Sequence, residues 1–437
     1  MERYRQDWAR DRSAGRPLAV VRPAGTQDVQ SVLRWATAAR VPVVPRGAGT
    51  GLSGGATAVD GGLVLSLERM RAVAVDPVAR VAVAQPGALN ADVKRAAAAA
   101  GLWYPPDPSS FESCSIGGNA ATNAGGLCCV KYGVTADYVL GLEVVLADGT
   151  AVRLGGPRLK DAAGLSLTKL FVGSEGILGV ITELTLRLLP APPPASTLVA
   201  TFPTVEAAAA AVLGITARLR PAMLELMDRT AINAVEDHTA MGLDRTARAL
   251  LLACSDAPGR AAAEEIAAME AACADQAATE IFTTDDPAEG EAFAAARRLA
   301  FPALERRGEL LLEDVGVALP DLPRLVSGIE AIAAAHDVTI ALVAHAGDGN
   351  THPVIVYDGG DPAHAARAER AFAAVMDLAL ALGGTITGEH GVGRLKRPWL
   401  PEYLGAGALA LTHRVKRALD PLGILNPGAM LPMEGTR

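Results

Sequence analysis

The run Pro190-Ala191-Pro192-Pro193-Pro194 does most to limit how this chain can fold. Proline has no amide N–H and a fixed φ, so such a run extends neither a helix nor an inner strand. It marks a domain edge, and the chain reads differently on its two sides. Upstream, short Val/Leu strands at residues 18–21, 41–44, 63–67, 81–84, 139–146 and 180–189 alternate with Gly/Pro turns. One helix over 26–39 carries Val29, Val32, Leu33 and Ala36 at helical spacing, with a Thr or Asp at its N-cap. Downstream, long helices over 204–218, 260–278, 321–336 and 362–382 alternate with strands over 198–202, 249–254, 310–317, 339–345 and 353–357. Helices on one face of an antiparallel sheet fit that order. A last basic helix over 411–420 is stopped by Pro421 and Gly423. The fold class is α+β, and 437 residues are too many for one ordinary core.

Bulk properties exclude several functions. A net charge of −8 argues against nucleic-acid binding. No uninterrupted apolar run is long enough to span a bilayer. The N-terminus is charged from Glu2 onward and lacks a secretory pattern. The five cysteines, Cys114, Cys128, Cys129, Cys254 and Cys273, form no C-x-x-C pair and no iron–sulfur spacing, and read as small buried thiols. The expected location is cytoplasmic, or the periphery of a membrane through a partner.

Chemistry concentrates in two glycine-rich turns, HAGDGNTH (345–352) and GEHG (388–391), which hold three of the seven histidines. Two neutral imidazoles, His345 and His352, with the carboxylate of Glu389 make a divalent-metal donor set, and an open fourth position makes it a catalytic one. Zinc ranks ahead of manganese or iron. The Asp-Gly-Asn reversal between strands 340–345 and 353–357 would place His345 and His352 facing each other near the mouth of a hairpin. Asp348 and Asn350 are read as turn formers. His238, His336, His364 and His413 are assigned structural or solvated roles.

A further set of loops suits a long phosphate-bearing ligand. PRGAGTGLSGGA (45–56) follows a strand, and its glycines expose backbone amides that can wrap a pyrophosphate. It contains G-x-G-x-x-G at Gly49, Gly51 and Gly54, but Gly54-Gly55 and Asp60-Gly61-Gly62 prevent the following helix that a Rossmann site requires. PPDPSS (105–110) with IGGNAATNAGG (116–126), and GSEGILGVIT (173–182), add two more such clusters.

These motifs, with HAGDGNTHP (345–353), GEHGVGRLK (388–396) and LNPG (425–428), resemble flavoproteins of the vanillyl-alcohol oxidase (PCMH) type. The resembling group is the FAD-linked 2-hydroxyacid oxidases and dehydrogenases, which act on D-lactate, glycolate or D-2-hydroxyglutarate. The resemblance implies an FAD-binding domain over 1–192. It implies a substrate domain with the metal and catalytic site over 195–402, and a segment over 403–437 returning to the FAD domain. It places the FAD pyrophosphate at Pro45, Arg46, Gly47, Ala48, Gly49, Thr50, Gly51, Leu52, Ser53 and Gly54. Pro106, Asp107, Ser109, Ser110, Gly117, Gly118, Asn119, Asn123, Gly125 and Gly126 would line the dinucleotide and isoalloxazine. Gly176, Gly179, Val180 and Ile181 would hold the adenine end, and Asn426 belongs to the same set. No histidine precedes His238, so FAD is expected to be noncovalent. The sequence departs from relatives at Ala344, Thr351 and Ala429, and at Ala253-Cys254, where relatives commonly place an acidic residue.

The reaction so implied is oxidation of a short D-2-hydroxy acid, D-lactate or glycolate first. His390 would take the hydroxyl proton, and the hydride would pass to flavin N5. Arg297, or its neighbour Arg298, would grip the substrate carboxylate, with Arg394 and Lys396 adding positive field. Tyr132 is read either as a residue near the flavin or as a packed core tyrosine. The electron acceptor would be separate: an Fe–S subunit, a quinone or oxygen. The alternatives are a redox-neutral alkylglycerone-phosphate synthase-like flavoenzyme and a non-catalytic flavoprotein subunit of an oxidase complex.

Overall fold

Residues 1–432 are described by the structure, a computed structural model of the chain, and they fall into two units. The first comprises Met1–Gly126, Val134–Ala191 and the chain from Glu389 onward. Its strands are β1 (Ala19–Val21), β2 (Val43–Arg46), β3 (Leu63–Ser66), β4 (Val73–Asp76), β5 (Val81–Ala84), β6 (Leu102–Trp103), β7 (Val139–Val145), β8 (Ala151–Gly155), β9 (Val180–Arg187) and β10 (Leu189–Pro190). They form a parallel sheet β1-β3-β2, an antiparallel sheet β4-β5-β9-β7-β8, and the pair β10-β6. Helix Thr26–Ala39 buries Val29, Leu33 and Ala36 in one core with Val43, Leu65, Val145 and Val180. Its N-cap is Gly25, without a side-chain cap bond. Thr26 and Asp28 are engaged elsewhere, the hydroxyl donating to Glu143 and the carboxylate accepting from the Ala24 amide at 2.8 Å.

The chain end extends the parallel sheet. Val43 N donates to Ile424 O at 2.8 Å, and Asn426 N donates to Val43 O at 2.8 Å. The chain rejoins this unit at Glu389 rather than at residue 403. The reason is local: Val392 N and Gly393 N donate to the Glu175 carboxylate at 2.7 and 2.8 Å, and Arg394 N donates to Ser53 O at 2.8 Å. The terminal helix runs over Leu400–Leu419, longer than read from the sequence, with a non-helical break at Gly405.

The second unit comprises Leu127–Gly133 and Pro192–Gly388. Strands β11 (Ser196–Phe202), β12 (Met223–Asp228), β13 (Ala249–Ser255), β14 (Glu280–Thr284), β15 (Glu309–Leu312), β16 (Val315–Gly316), β17 (Thr339–His345) and β18 (Asn350–Tyr357) form one antiparallel sheet. The order is β14-β11-β13-β12-β17-β18-β15, with β16 also on β18. Helices Val205–Thr216, Arg260–Asp275, Leu322–His336 and Pro362–Ala381, all anticipated, lie side by side on one face. Three shorter helices, Arg229–Thr239, Pro287–Arg298 and Ala300–Glu305, were not anticipated. They pack on the other face, where Met223, Met227, Leu250, Leu252, Ala341, Val343 and Val354 share a core with Ile232, Val235 and Phe301.

The stretch expected as one strand over 310–317 is split at Glu313-Asp314, although β15 and β16 keep a common register on β18. Glu313 N donates to Pro353 O at 2.9 Å, but Pro353 has no N–H to return, so the ladder loses a rung there. Both acids at this break are fully buried.

Candidate active site

In the second unit, β17 and β18 form the expected tight reversal, with His345 opposite Asn350 and Val343 opposite His352. The two histidines are therefore diagonal neighbours on one sheet face rather than directly opposed. Their rings meet edge-on with centroids 5.0 Å apart. Phe301 closes on His352 from the helical side, centroids 6.0 Å apart.

A carboxylate bonds His345, and another stands near His352 beyond hydrogen-bond distance. Glu225 of β12 is the register partner of His345, and its oxygens lie 2.8 and 3.0 Å from His345 Nδ1. Asp314 lies 3.7 Å from His352 Nδ1. The other Asp314 oxygen accepts from the Thr387 hydroxyl at 2.6 Å and from the Gly388 amide at 2.9 Å. A metal-binding histidine commonly donates its second ring N–H to a carboxylate, which fixes tautomer and orientation. The donor chemistry of this pair fits a divalent cation.

Arg297 is the inward member of its pair. It is 1% exposed, and its Nη2 sits 2.8 Å from Glu225, whereas Arg298 turns outward to Glu291 at 2.7 Å. Tyr132 and Lys131 both engage the nearly buried Asp256 at the end of β13, and Tyr132 also packs against the core beneath the sheet. Sequence reasoning missed Glu225, Asp256 and Asp314. Asp256 adjoins the Ala253-Cys254 departure, which was the one available signal.

In the first unit the glycine-rich loops converge. The loop at 47–53 leaves β2 and touches helix Ile116–Thr122, where Ala48 N donates to the N-cap Ser115 Oγ at 3.3 Å. A Cβ at Gly47 would fall 2.2 Å from that oxygen, so a larger residue would push the Ser115 hydroxyl out of this position. The third loop hangs from the same helix, with Gly173 N donating to Ala120 O and Glu175 N to Ala121 O, each at 2.8 Å. Asn426 Nδ2 ties the set together by donating to Gly55 O at 2.8 Å and Glu175 O at 2.7 Å.

Several residues assigned to the cofactor brace these loops. Arg46 is buried and donates to Arg3 O at 3.2 Å. Asn119 is buried and accepts from Asn90 at 3.0 Å, and Asn123 takes the left-handed helix C-cap at φ 54°. The Pro106 carbonyl accepts from Asn90, and the Asp107 backbone abuts Gly126. Gly179, Val180 and Ile181 lead into or lie in β9 as buried residues. Ala48 remains exposed, and Gly49, Thr50, Gly51 and Leu52 are half-buried. Such a glycine-framed cradle of backbone fits a dinucleotide.

The 389–396 segment belongs to this unit. Ser53 Oγ donates to Gly391 O at 2.7 Å, and His390 Nε2 lies 4.0 Å from Glu389 Oε1. Burial pushes the Glu175 carboxyl up to about 7, against the downward pull of the Val392 and Gly393 amides and of Lys396. Because the folded state then holds the proton more tightly than the unfolded chain, this group's contribution is most favourable below about pH 4.5 and declines as pH rises towards 7. Glu175→Gln removes that titration. The Tm advantage of the wild type over this variant should therefore shrink between pH 5 and pH 8. A difference independent of pH, measured by thermal unfolding, would contradict it.

The architecture of the first unit and the antiparallel sheet of the second define a vanillyl-alcohol oxidase-type flavoprotein fold. The 4-ethylphenol oxidase from Gulosibacter chungangensis superposes with a TM-score of 0.80 at 20% identity, covering 99% of this chain and 93% of that one. The chain belongs to the FAD-linked oxidases, an oxidoreductase family: residues 191–430 match "FAD linked oxidases, C-terminal domain" and residues 17–155 match "FAD binding domain". Glycolate oxidase subunit GlcD of Bacillus subtilis (strain 168) is 42% identical over 424 residues, 96% of this chain and 90% of that protein. D-lactate dehydrogenase of Archaeoglobus fulgidus is 34% identical over 420 residues, 96% and 92% respectively. No helix among the described residues is long and apolar enough to cross a membrane.

Proposed function

We propose that this chain oxidises a short D-2-hydroxy acid, D-lactate or glycolate first, to the 2-oxo acid. The observation that carries the reading is the His345–His352 pair on adjacent strands, with His345 bonded to buried Glu225 and buried Asp314 facing His352 at 3.7 Å. The names of the relatives, a glycolate oxidase subunit and a D-lactate dehydrogenase, support the substrate class.

His345 and His352 would hold a divalent ion, zinc ahead of manganese or iron, with Glu389 as third ligand. Glu389 follows directly on Gly388, whose amide Asp314 holds. The ion, when bound, lowers the pKa of the substrate hydroxyl. His390 accepts that hydroxyl proton at an imidazole nitrogen. Noncovalent FAD, held by the glycine-framed loops, supplies the acceptor for the hydride leaving the same carbon. Arg297 is assigned the substrate carboxylate. Glu225 already engages Nη2, so the grip uses the rest of the guanidinium. The two electrons then leave to a separate acceptor: an Fe–S subunit, a quinone or oxygen.

A screen of 2-hydroxy acids with a dye acceptor, with and without chelator, tests this directly. D-Lactate or glycolate should reduce the dye, and the chelator should suppress the rate. If no acid reduces the dye under any metal condition, the reading fails.

A further inference from the structure

We infer that Glu225 is a positioning residue that sets His345 for metal binding, with Arg297 as the cation that balances its charge. The inference rests on the proposed metal role of His345 and adds a residue outside the donor set. Glu225 and His345 are Cα partners in the β12–β17 ladder, so their side chains share a face and the contact is built into the register. Both carboxylate oxygens lie within 3.0 Å of His345 Nδ1. A carboxylate only accepts, so Nδ1 must carry the hydrogen, and the lone pair is confined to Nε2. A histidine presenting the other tautomer would offer the metal an N–H instead.

Glu225 is 1% exposed, and a charge so buried persists only when paired. Arg297, equally buried, supplies the pairing at 2.8 Å through the same oxygen that stands 3.0 Å from the imidazole. Arg297, Glu225 and His345 thus form a line across three elements: helix Pro287–Arg298, β12 and β17. An ion pair that served stability alone would not need its acid bonded to an imidazole. A histidine that served packing alone would not need a carboxylate aligned by register.

The test uses the full-length flavoprotein, dialysed to equilibrium with Zn²⁺ or Mn²⁺ against a graded chelator, with bound metal measured by elemental analysis. Glu225→Gln should weaken metal retention by about 10- to 100-fold, the usual cost of losing a carboxylate behind a metal-bound histidine. Flavin content and Tm serve as controls for folding. Because Glu225→Gln takes one charge partner from the buried Arg297, the double variant Glu225→Gln/Arg297→Met is measured beside it. It removes both charges at similar volume and should still retain metal 10- to 100-fold less well. Either variant holding metal as tightly as the wild type overturns the inference and leaves the proposed function standing. A wild type that retains neither metal overturns both.

Discussion

His390→Ala should lower kcat with D-lactate or glycolate by about a hundred- to ten-thousandfold, the range that a positioned general base contributes. The substitution removes the imidazole and leaves its support in place. The backbone of this turn is held by Ser53 Oγ on Gly391 O, by the Glu175 carboxylate on the Val392 and Gly393 amides, and by Arg394 N on Ser53 O. None of these bonds involves the histidine ring. Flavin content and Tm should therefore stay near wild type while turnover collapses, and activity should not recover at high substrate. Full turnover in the variant would remove His390 from the chemistry and favour a flavoprotein subunit whose partner supplies it.

Gly393→Ala should damage the same segment through its backbone. A Cβ at this position would stand 1.9 Å from Ser53 O and 2.5 Å from Ser53 C, with φ at +52°. Neither side can yield easily. Arg394 N and Leu395 N donate to Ser53 O, and Met430 N donates to Gly393 O at 2.7 Å. The clash is with main chain, so a rotamer change does not relieve it. We expect Tm to fall by about 2–5 °C, from roughly 2–5 kcal/mol of overpacking and left-handed cost together in a chain of this size. Flavin retention should fall with it, because Ser53 ends the first glycine-rich loop. Gly383→Ala is the control. Its φ is +69°, but nothing lies within 4 Å of the added carbon, so it carries the left-handed cost of about 1–2 kcal/mol without the collision. Equal effects of the two substitutions would show that conformation, not contact with Ser53, makes glycine necessary at 393.

Much of the second unit was legible where side-chain periodicity was strong. Helix Leu322–His336 and strand Thr339–His345 lie within a residue or two of their expected bounds. The His345–His352 pair was legible because Asp348, Gly349 and Asn350 specify a tight reversal, and a tight reversal brings the flanking strands together. Strand β12 was not. Its residues 223–227 are buried in succession, since helices cover both faces of the sheet, so the alternation that marks a half-buried strand is missing. With β12 went Glu225, a lone acid between Leu224 and Leu226 that belongs to none of the sequence motifs.

The sequence alone carried most of the long helices and several strands, the break at the proline run, the glycine-rich loops and the residue types able to do chemistry. All of these rest on interactions within a few positions along the chain. Tertiary structure alone decided which acid stands behind which histidine, which of Arg297 and Arg298 turns inward, and where the chain rejoins its first unit. Glu225 and His345 are 120 residues apart, and their contact follows from the register of β12 on β17. That register is chosen by the packing of the whole sheet and its helices, a sum over distant pairs that no local pattern carries.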